Sequence, residues 1–305
     1  MVLRTPAALL LASLALAACT SDPAATTADG DGPLAVTVGF YPYAFVAERV
    51  GGPDVEVTNL TQPGTEPHDL ELTPQQVADL TETDLVLYSP LFQPAVDEAV
   101  EQQAADRAFD VLSAVELRDP PATPGEQAEQ DEAPGGRDPH VWLDPVRLGE
   151  IAAAVAQELG ERRPDRAAAF TERAAALQAD LKTLDDEMRA GLARCQRTEV
   201  VTSHDAYGYL TGTYGLTQVP IAGLSPQDEA SAGSLAEIAV QARASGVTTI
   251  FFEELVSPAV AESLASEVGA KATVLSPLEG PPETGDYLSA MRTNLTTLRT
   301  ALGCA

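Results

Sequence analysis

Three histidines, His68, His140 and His204, are the side chains of this sequence best suited to coordination chemistry. Each falls in a loop beside an element junction. His68 sits in GTEPHDLEL, His140 leads DPHVWLDP, and His204 follows the run VVTS where a helix begins. Neutral imidazole is a borderline ligand, and three of them fill most of a tetrahedral zinc site. Each histidine has carboxylates close by in sequence: Glu66 and Asp69, Asp138 and Asp144, and Asp205. Such groups fix the tautomer of a ligating ring. A histidine is equally at home as a hydrogen-bonded structural residue, so spacing leaves one shared site and three separate roles both open.

A zinc enzyme would use the same ligands with a free position for water. The chain has no HExxH, and Ser203 and Ser276 stand in no Ser-His-Asp order, so no catalytic residue is assigned and an enzyme is not expected.

The cysteines divide by position. Arg4 and the apolar run from Ala7 to Ala18 read as an export signal over residues 1–18. The run ends Leu16-Ala17-Ala18-Cys19, which resembles a bacterial lipobox and makes Cys19 the expected lipidation site. Residues 19–33 then form a flexible tether. Export to the outer face of the cell membrane places Cys195 and Cys304 in an oxidising compartment, where an even pair predicts a disulfide.

The elements that must carry these residues follow from pattern. LAVTV, VEVTNL and LVLYS are short β-branched strands, alternating with helices at Pro42 to Val50 and at TPQQVADL, where Pro follows a Thr cap. That alternation predicts α/β lobes with parallel sheets. Residues 119–139 lack apolar periodicity and read as an acidic surface loop. From Pro164, apolar residues recur every three or four positions through Leu192, which predicts one long linking helix. The stretch TEVVTSHDAYGYLTGTYGL then echoes LAVTVGFYPYAFVAERVGG, and a second similar lobe is expected. The expected divisions are an N-terminal lobe over 34–160, the linking helix over 161–194 and a C-terminal lobe over 195–305, with a cleft between the lobes. Tyr41, Tyr43, Tyr207 and Tyr209 stand at the two echoed helix starts, as core fillers or cleft liners. Glu253 and Glu254 end the strand IFF, at the cleft edge or against a partner.

With 46 acidic against 18 basic residues the formal charge is −28, and nucleic acid is not an expected partner because phosphate contacts need clustered Lys and Arg. A monomer is expected.

The segments PGTEPHDLELTP, DPHVWLDP, VTSHDAYGYL and IFFEELVSPAVAESLASEVGAKATVLSPLEG resemble the metal-specific solute-binding lipoproteins of ABC importers. The resemblance covers nearly the whole chain after the export signal. It implies a shared metal site at His68, His140 and His204, Zn(II) as transported ligand, and a membrane permease as partner. Relatives often carry Asp where this chain has Ser276, which leaves the fourth ligand open among Ser276, Glu66, Glu279 and water. The loop before His140 is acidic where zinc-type relatives are His-rich. A histidine at 204, where manganese-type relatives tend to have a carboxylate, favours zinc. The alternatives are a manganese receptor or a surface adhesin with an incidental metal site.

Overall fold

Strand β1 (Leu34–Val38) is the centre of the first lobe because its β-branched residues are buried on both faces. In the computed structural model, which describes residues 1, 32–118, 137–228 and 230–305, it pairs in parallel with β2 (Val55–Asn59) and β3 (Leu85–Tyr88). The strand β4 (Ala108–Asp110) completes a four-stranded sheet of order β2-β1-β3-β4. Helices α1 (Tyr41–Gly51), α2 (Pro74–Asp79) and α3 (Pro94–Gln103) connect these strands. Each carries Pro at its first or second position, where the missing N–H costs nothing. At α2 the cap is reciprocal: Thr73 Oγ1 accepts from the Gln76 N–H, and Gln76 Oε1 accepts from the Thr73 N–H.

The second lobe repeats this plan. β5 (Glu199–Thr202), β6 (Thr217–Pro220), β7 (Thr249–Phe252) and β8 (Lys271–Val274) form a parallel sheet of order β6-β5-β7-β8. Helices α6 (Gly208–Thr213), α7 (Ala232–Ala244), α8 (Ala259–Val268) and α9 (Tyr287–Leu302) complete it. The echo seen in the sequence is therefore an echo of strand order.

Between the lobes run α4 (Pro145–Arg162) and α5 (Ala167–Leu192). The single helix expected from Pro164 opens as a 3-10 turn over Pro164–Arg166 and continues as α5, 26 residues long. Phe170, Ala174, Leu177, Leu181, Leu184, Met188 and Leu192 are all buried along its predicted face. One part of α5 holds α1 and the turn after it, with Arg49 bonding Asp180 at 2.6 Å and Arg173 bonding Asp54 at 2.6 Å; another holds α9 through Arg292 and Glu187 at 2.6 Å. Each lobe thus rests on the same rod, and one apolar cluster runs from Val36 through Trp142 to Tyr287 and Leu298, with a smaller cluster of its own on each lobe. A disulfide joins Cys195, after α5, to Cys304, after α9. Tyr43, Tyr207 and Tyr209 are core residues.

The export signal and tether, with Cys19, and residues 119–136 of the acidic stretch lie outside the described residues. Among the described residues no helix is long and apolar enough to cross a membrane.

Candidate metal centre

The loops that leave the carboxyl ends of β2, β5, β7 and β8 meet where the two sheets face each other, the region in which open α/β sheets bind ligands. His68 is carried by the loop after β2. Buried Gln93 holds that loop by donating to Thr61 Oγ1 at 2.9 Å and to the Pro67 carbonyl at 3.2 Å. The His68 ring rests on Phe92, with ring centres 4.3 Å apart. His140 stands at the mouth of the short turn Val141–Leu143 that leads into α4. His204 follows β5, and Thr202 Oγ1 donates to its carbonyl at 2.8 Å.

Glu279 arrives from the segment after β8. The preceding residue, Leu278, adopts a left-handed backbone at φ 56° although it carries a side chain. Such a conformation costs on the order of 1–2 kcal/mol and persists where surrounding packing over-determines it. Here Leu278 is buried, and the turn it makes delivers the Glu279 carboxylate into the interior.

These four residues converge. Glu279 Oε1 lies 3.5 Å from His68 Nε2, 3.7 Å from His204 Nε2 and 4.0 Å from His140 Nε2. All four ligand atoms lie within 4.8 Å of one another. A tetrahedron with bonds of about 2.0–2.1 Å has edges of roughly 3.3 Å, so a small inward movement of the side chains suffices to close on an ion. The histidine Nε2 atoms and both Glu279 oxygens are buried without a hydrogen-bond partner, whereas buried polar atoms are nearly always paired. A cation with soft-to-borderline character satisfies all of them together, so the donor set fits zinc.

Carboxylates hold the other faces of two rings. Asp138 Oδ1 lies 2.8 Å from His140 Nδ1 and also accepts the His140 backbone N–H at 2.9 Å. Glu253 Oε1 lies 2.5 Å from His204 Nδ1 and accepts the Ser203 hydroxyl. Both contacts leave Nε2 as the free donor to a metal. Burial drives the His140 ring toward neutrality, and Asp138 only partly opposes it. Burial acts on His204 in the same direction, but the charges of Glu253 and Glu279 outweigh it and raise the ring to about 10. Burial would likewise push the Glu279 carboxyl up; the facing rings of His204 and His68 reverse this and hold it well below the usual carboxylate range.

The carboxylates next to the histidines in sequence divide sharply. Asp138 meets its ring, and Glu66 accepts the His68 backbone N–H at 3.0 Å. Asp144 instead caps α4 and bonds Thr213 at 2.7 Å, while Asp69 is exposed. Asp205 is buried, and its carboxyl is raised to about 7 by burial and by Asp138. Of the candidates for a fourth ligand, Glu279 joins the cluster. Ser276 turns its hydroxyl to the Leu278 N–H at 3.3 Å, and Glu66, raised to about 7 by burial and by Glu279, is outside the four-atom group. Glu253, read from sequence only as a strand-end acid, is buried against His204; its place at the end of a parallel strand adjoining β5 was the available sign.

Two α/β lobes on a common rod, with a metal donor set contributed by both, define a solute-binding protein of the rigid-helix type. The chain matches the family described as zinc-uptake complex component A, periplasmic, over residues 36–301, and it belongs to that family. It is 34% identical to the high-affinity zinc uptake system protein ZnuA of Bacillus subtilis, over 95% of this chain and 94% of that protein. It is 33% identical to the zinc-binding lipoprotein AdcA of Streptococcus pneumoniae, again over 95% of this chain but spanning only 60% of AdcA. Among solved structures, the laminin-binding protein Lmb of Streptococcus agalactiae superposes with a TM-score of 0.79 at 30% identity, covering 88% of this chain and 99% of Lmb. That protein is described as having both adhesin and metal-transporting activity.

Proposed function

We propose that this protein is an extracytoplasmic receptor that captures Zn(II) with His68, His140, His204 and Glu279 and delivers it to the permease of an ABC importer. The observation that carries this reading is the convergence of four buried, otherwise unpaired ligand atoms contributed by both lobes. Three imidazoles and one carboxylate suit zinc better than manganese, which prefers more oxygen ligands. Relatives named for zinc uptake support the same cargo. The reading includes export by residues 1–18, a lipid anchor at Cys19 with a tether to residue 33, and a monomeric receptor, supported by the lipobox-like LAAC and by a relative described as a lipoprotein. It divides the chain into lobes over 34–160 and 195–305 about a linking helix over 161–194.

The test is isothermal titration of metal-stripped protein with Zn(II) and Mn(II), beside His68→Ala, His140→Ala and His204→Ala. Tight zinc binding that each substitution weakens is expected. Sub-micromolar Mn(II) binding without a preference for zinc would overturn the cargo, and zinc binding untouched by all three would overturn the site.

A further inference from the structure

Asp138, which sets the His140 ring, is itself gripped from the other lobe. The Tyr209 hydroxyl, on α6, donates to the Asp138 carbonyl at 2.8 Å and accepts the Arg118 backbone N–H at 3.0 Å. The Asp138 N–H in turn donates to the Arg118 carbonyl at 3.1 Å. One phenol therefore closes a ring of three hydrogen bonds around the two ends of the stretch between Arg118 and Asp138. The Arg118 guanidinium folds back over the Tyr209 ring, 5.6 Å from its centre, with its Nε 4.0 Å from Asp138 Oδ2. Gly208 makes room for it: a Cβ there would collide with the guanidinium and come within 2.9 Å of Asp138 Oδ2.

We propose that Tyr209 is a positioning residue for the metal, acting through Asp138 on His140. Its hydroxyl fixes the main chain at Asp138, so that Oδ1 stays on His140 Nδ1 and the ring keeps Nε2 aimed at Glu279. Removing the hydroxyl leaves a buried carbonyl and the Arg118 N–H short of a partner, and the main chain must move to satisfy them. The contact crosses between the lobes, since Tyr209 belongs to the second and His140 to the first. This inference rests on the zinc site proposed above.

The experiment compares Tyr209→Phe with wild type in the full chain, by zinc affinity against a chromophoric chelator and by the visible absorption of the Co(II) form. Losing a group that orients a ligand typically weakens metal binding by about 10–100-fold, and Tyr209→Phe is expected near the lower figure, with a shifted Co(II) band. Combined with Asp138→Asn it should add nothing further, because both act on one contact. Unchanged affinity and Co(II) absorption, or effects that multiply with Asp138→Asn, would overturn the inference. If Tyr209→Phe fails to fold, Tyr209→Met, which also lacks the hydroxyl, decides: weakened zinc binding with a shifted Co(II) band is expected, and unchanged affinity and absorption refute the proposal. His140→Ala separates the two levels. Should it retain wild-type affinity, His140 is no ligand and the premise taken from the zinc site fails; should it lose zinc while Tyr209→Phe does not, only the role of Tyr209 fails.

Discussion

His140 and His204 are equally buried, and each offers Nδ1 to a carboxylate, yet the protein drives their rings in opposite directions. The first lobe holds His140 neutral, because burial dominates and Asp138 compensates only in part. The second lobe raises His204 to about 10, because Glu253 on one side and Glu279 on the other outweigh the same burial. Each ring faces two carboxylates; the difference is that the neighbouring rings of His204 and His68 push His140 further down, whereas Glu253 and Glu279 both raise His204. The first lobe thus supplies imidazole ready to bind, while the second supplies negative charge together with a proton that zinc must displace. Any cation satisfies the field of the second lobe; the imidazole nitrogens favour a borderline metal over calcium or magnesium.

Glu279→Ala attacks this contrast most directly, since it removes the one carboxylate that faces all three Nε2 atoms. Structural zinc sites bind with about 10–16 kcal/mol shared over four ligands, so losing one should weaken zinc roughly 10²–10³-fold. Competition titration checks this. A dissociation constant within threefold of wild type would show that the second lobe's charge is not the source of affinity.

The contrast also fixes the sign of two pH dependences. Zinc must displace the His204 proton, so affinity should rise about tenfold per pH unit between pH 7 and 9, with close to one proton released per ion in weakly buffered titrations. Stability of the metal-free protein should move the other way. A ring raised from an ordinary value near 6.5 to about 10 contributes its full stabilisation below the lower value and loses it as pH rises through the higher one. Melting temperatures of the metal-free form should therefore fall from pH 7 to 10, and those of the zinc form should not. Affinity that is flat over pH 7 to 9 would refute the charged state of His204.

Asp138→Asn and Glu253→Gln sharpen the comparison at smaller cost. Each removes the charge of an orienting carboxylate, for which losses of about 10–100-fold are usual. Only Glu253→Gln should flatten the pH dependence, because only its ring carries the displaced proton. Equal flattening by both would mean that the two half-sites share one titration.

Much of this site was legible before the fold was known, for reasons that differ residue by residue. His68 and His204 stood out because they lie in loops after β-branched runs, and parallel strands send such loops to one edge; His140 stood out only through the segment DPHVWLDP. The echo of the two halves predicted a second similar lobe, though not the order of its strands. Glu279 was only one of four candidates, with Ser276, Glu66 and water, because its entry depends on the left-handed turn at Leu278, a conformation that leucine does not advertise. Glu253 and His204 are 49 residues apart and meet only because β7 pairs with β5. Asp144 shows the converse: adjacency to a histidine does not make a partner when the next turn points the carboxylate at the start of α4. Helix α4 was not anticipated, although Asp144-Pro145 and the spacing of Leu148, Ile151, Ala152, Val155 and Leu159 mark it.

Trp142 offers the mildest readout, since the indole itself need not be mutated. It is the only tryptophan, and its ring centre lies 5.1 Å from that of His140 in the first lobe. Its Nε1 donates to the Pro277 carbonyl at 2.7 Å, two residues from Glu279 in the second. The indole therefore touches both halves of the site, and zinc binding should alter its emission intensity. The wavelength should shift little, because the ring is fully buried and packed on Phe40 and Phe92. In Asp138→Asn the intensity change at saturating zinc should differ from wild type, because His140 is then less firmly held against the indole. In Glu253→Gln, whose ring lies beyond Trp142's contacts, the change should match wild type once zinc saturates. The reverse pattern would place the indole's sensitivity in the second lobe and break the division of labour between His140 and His204.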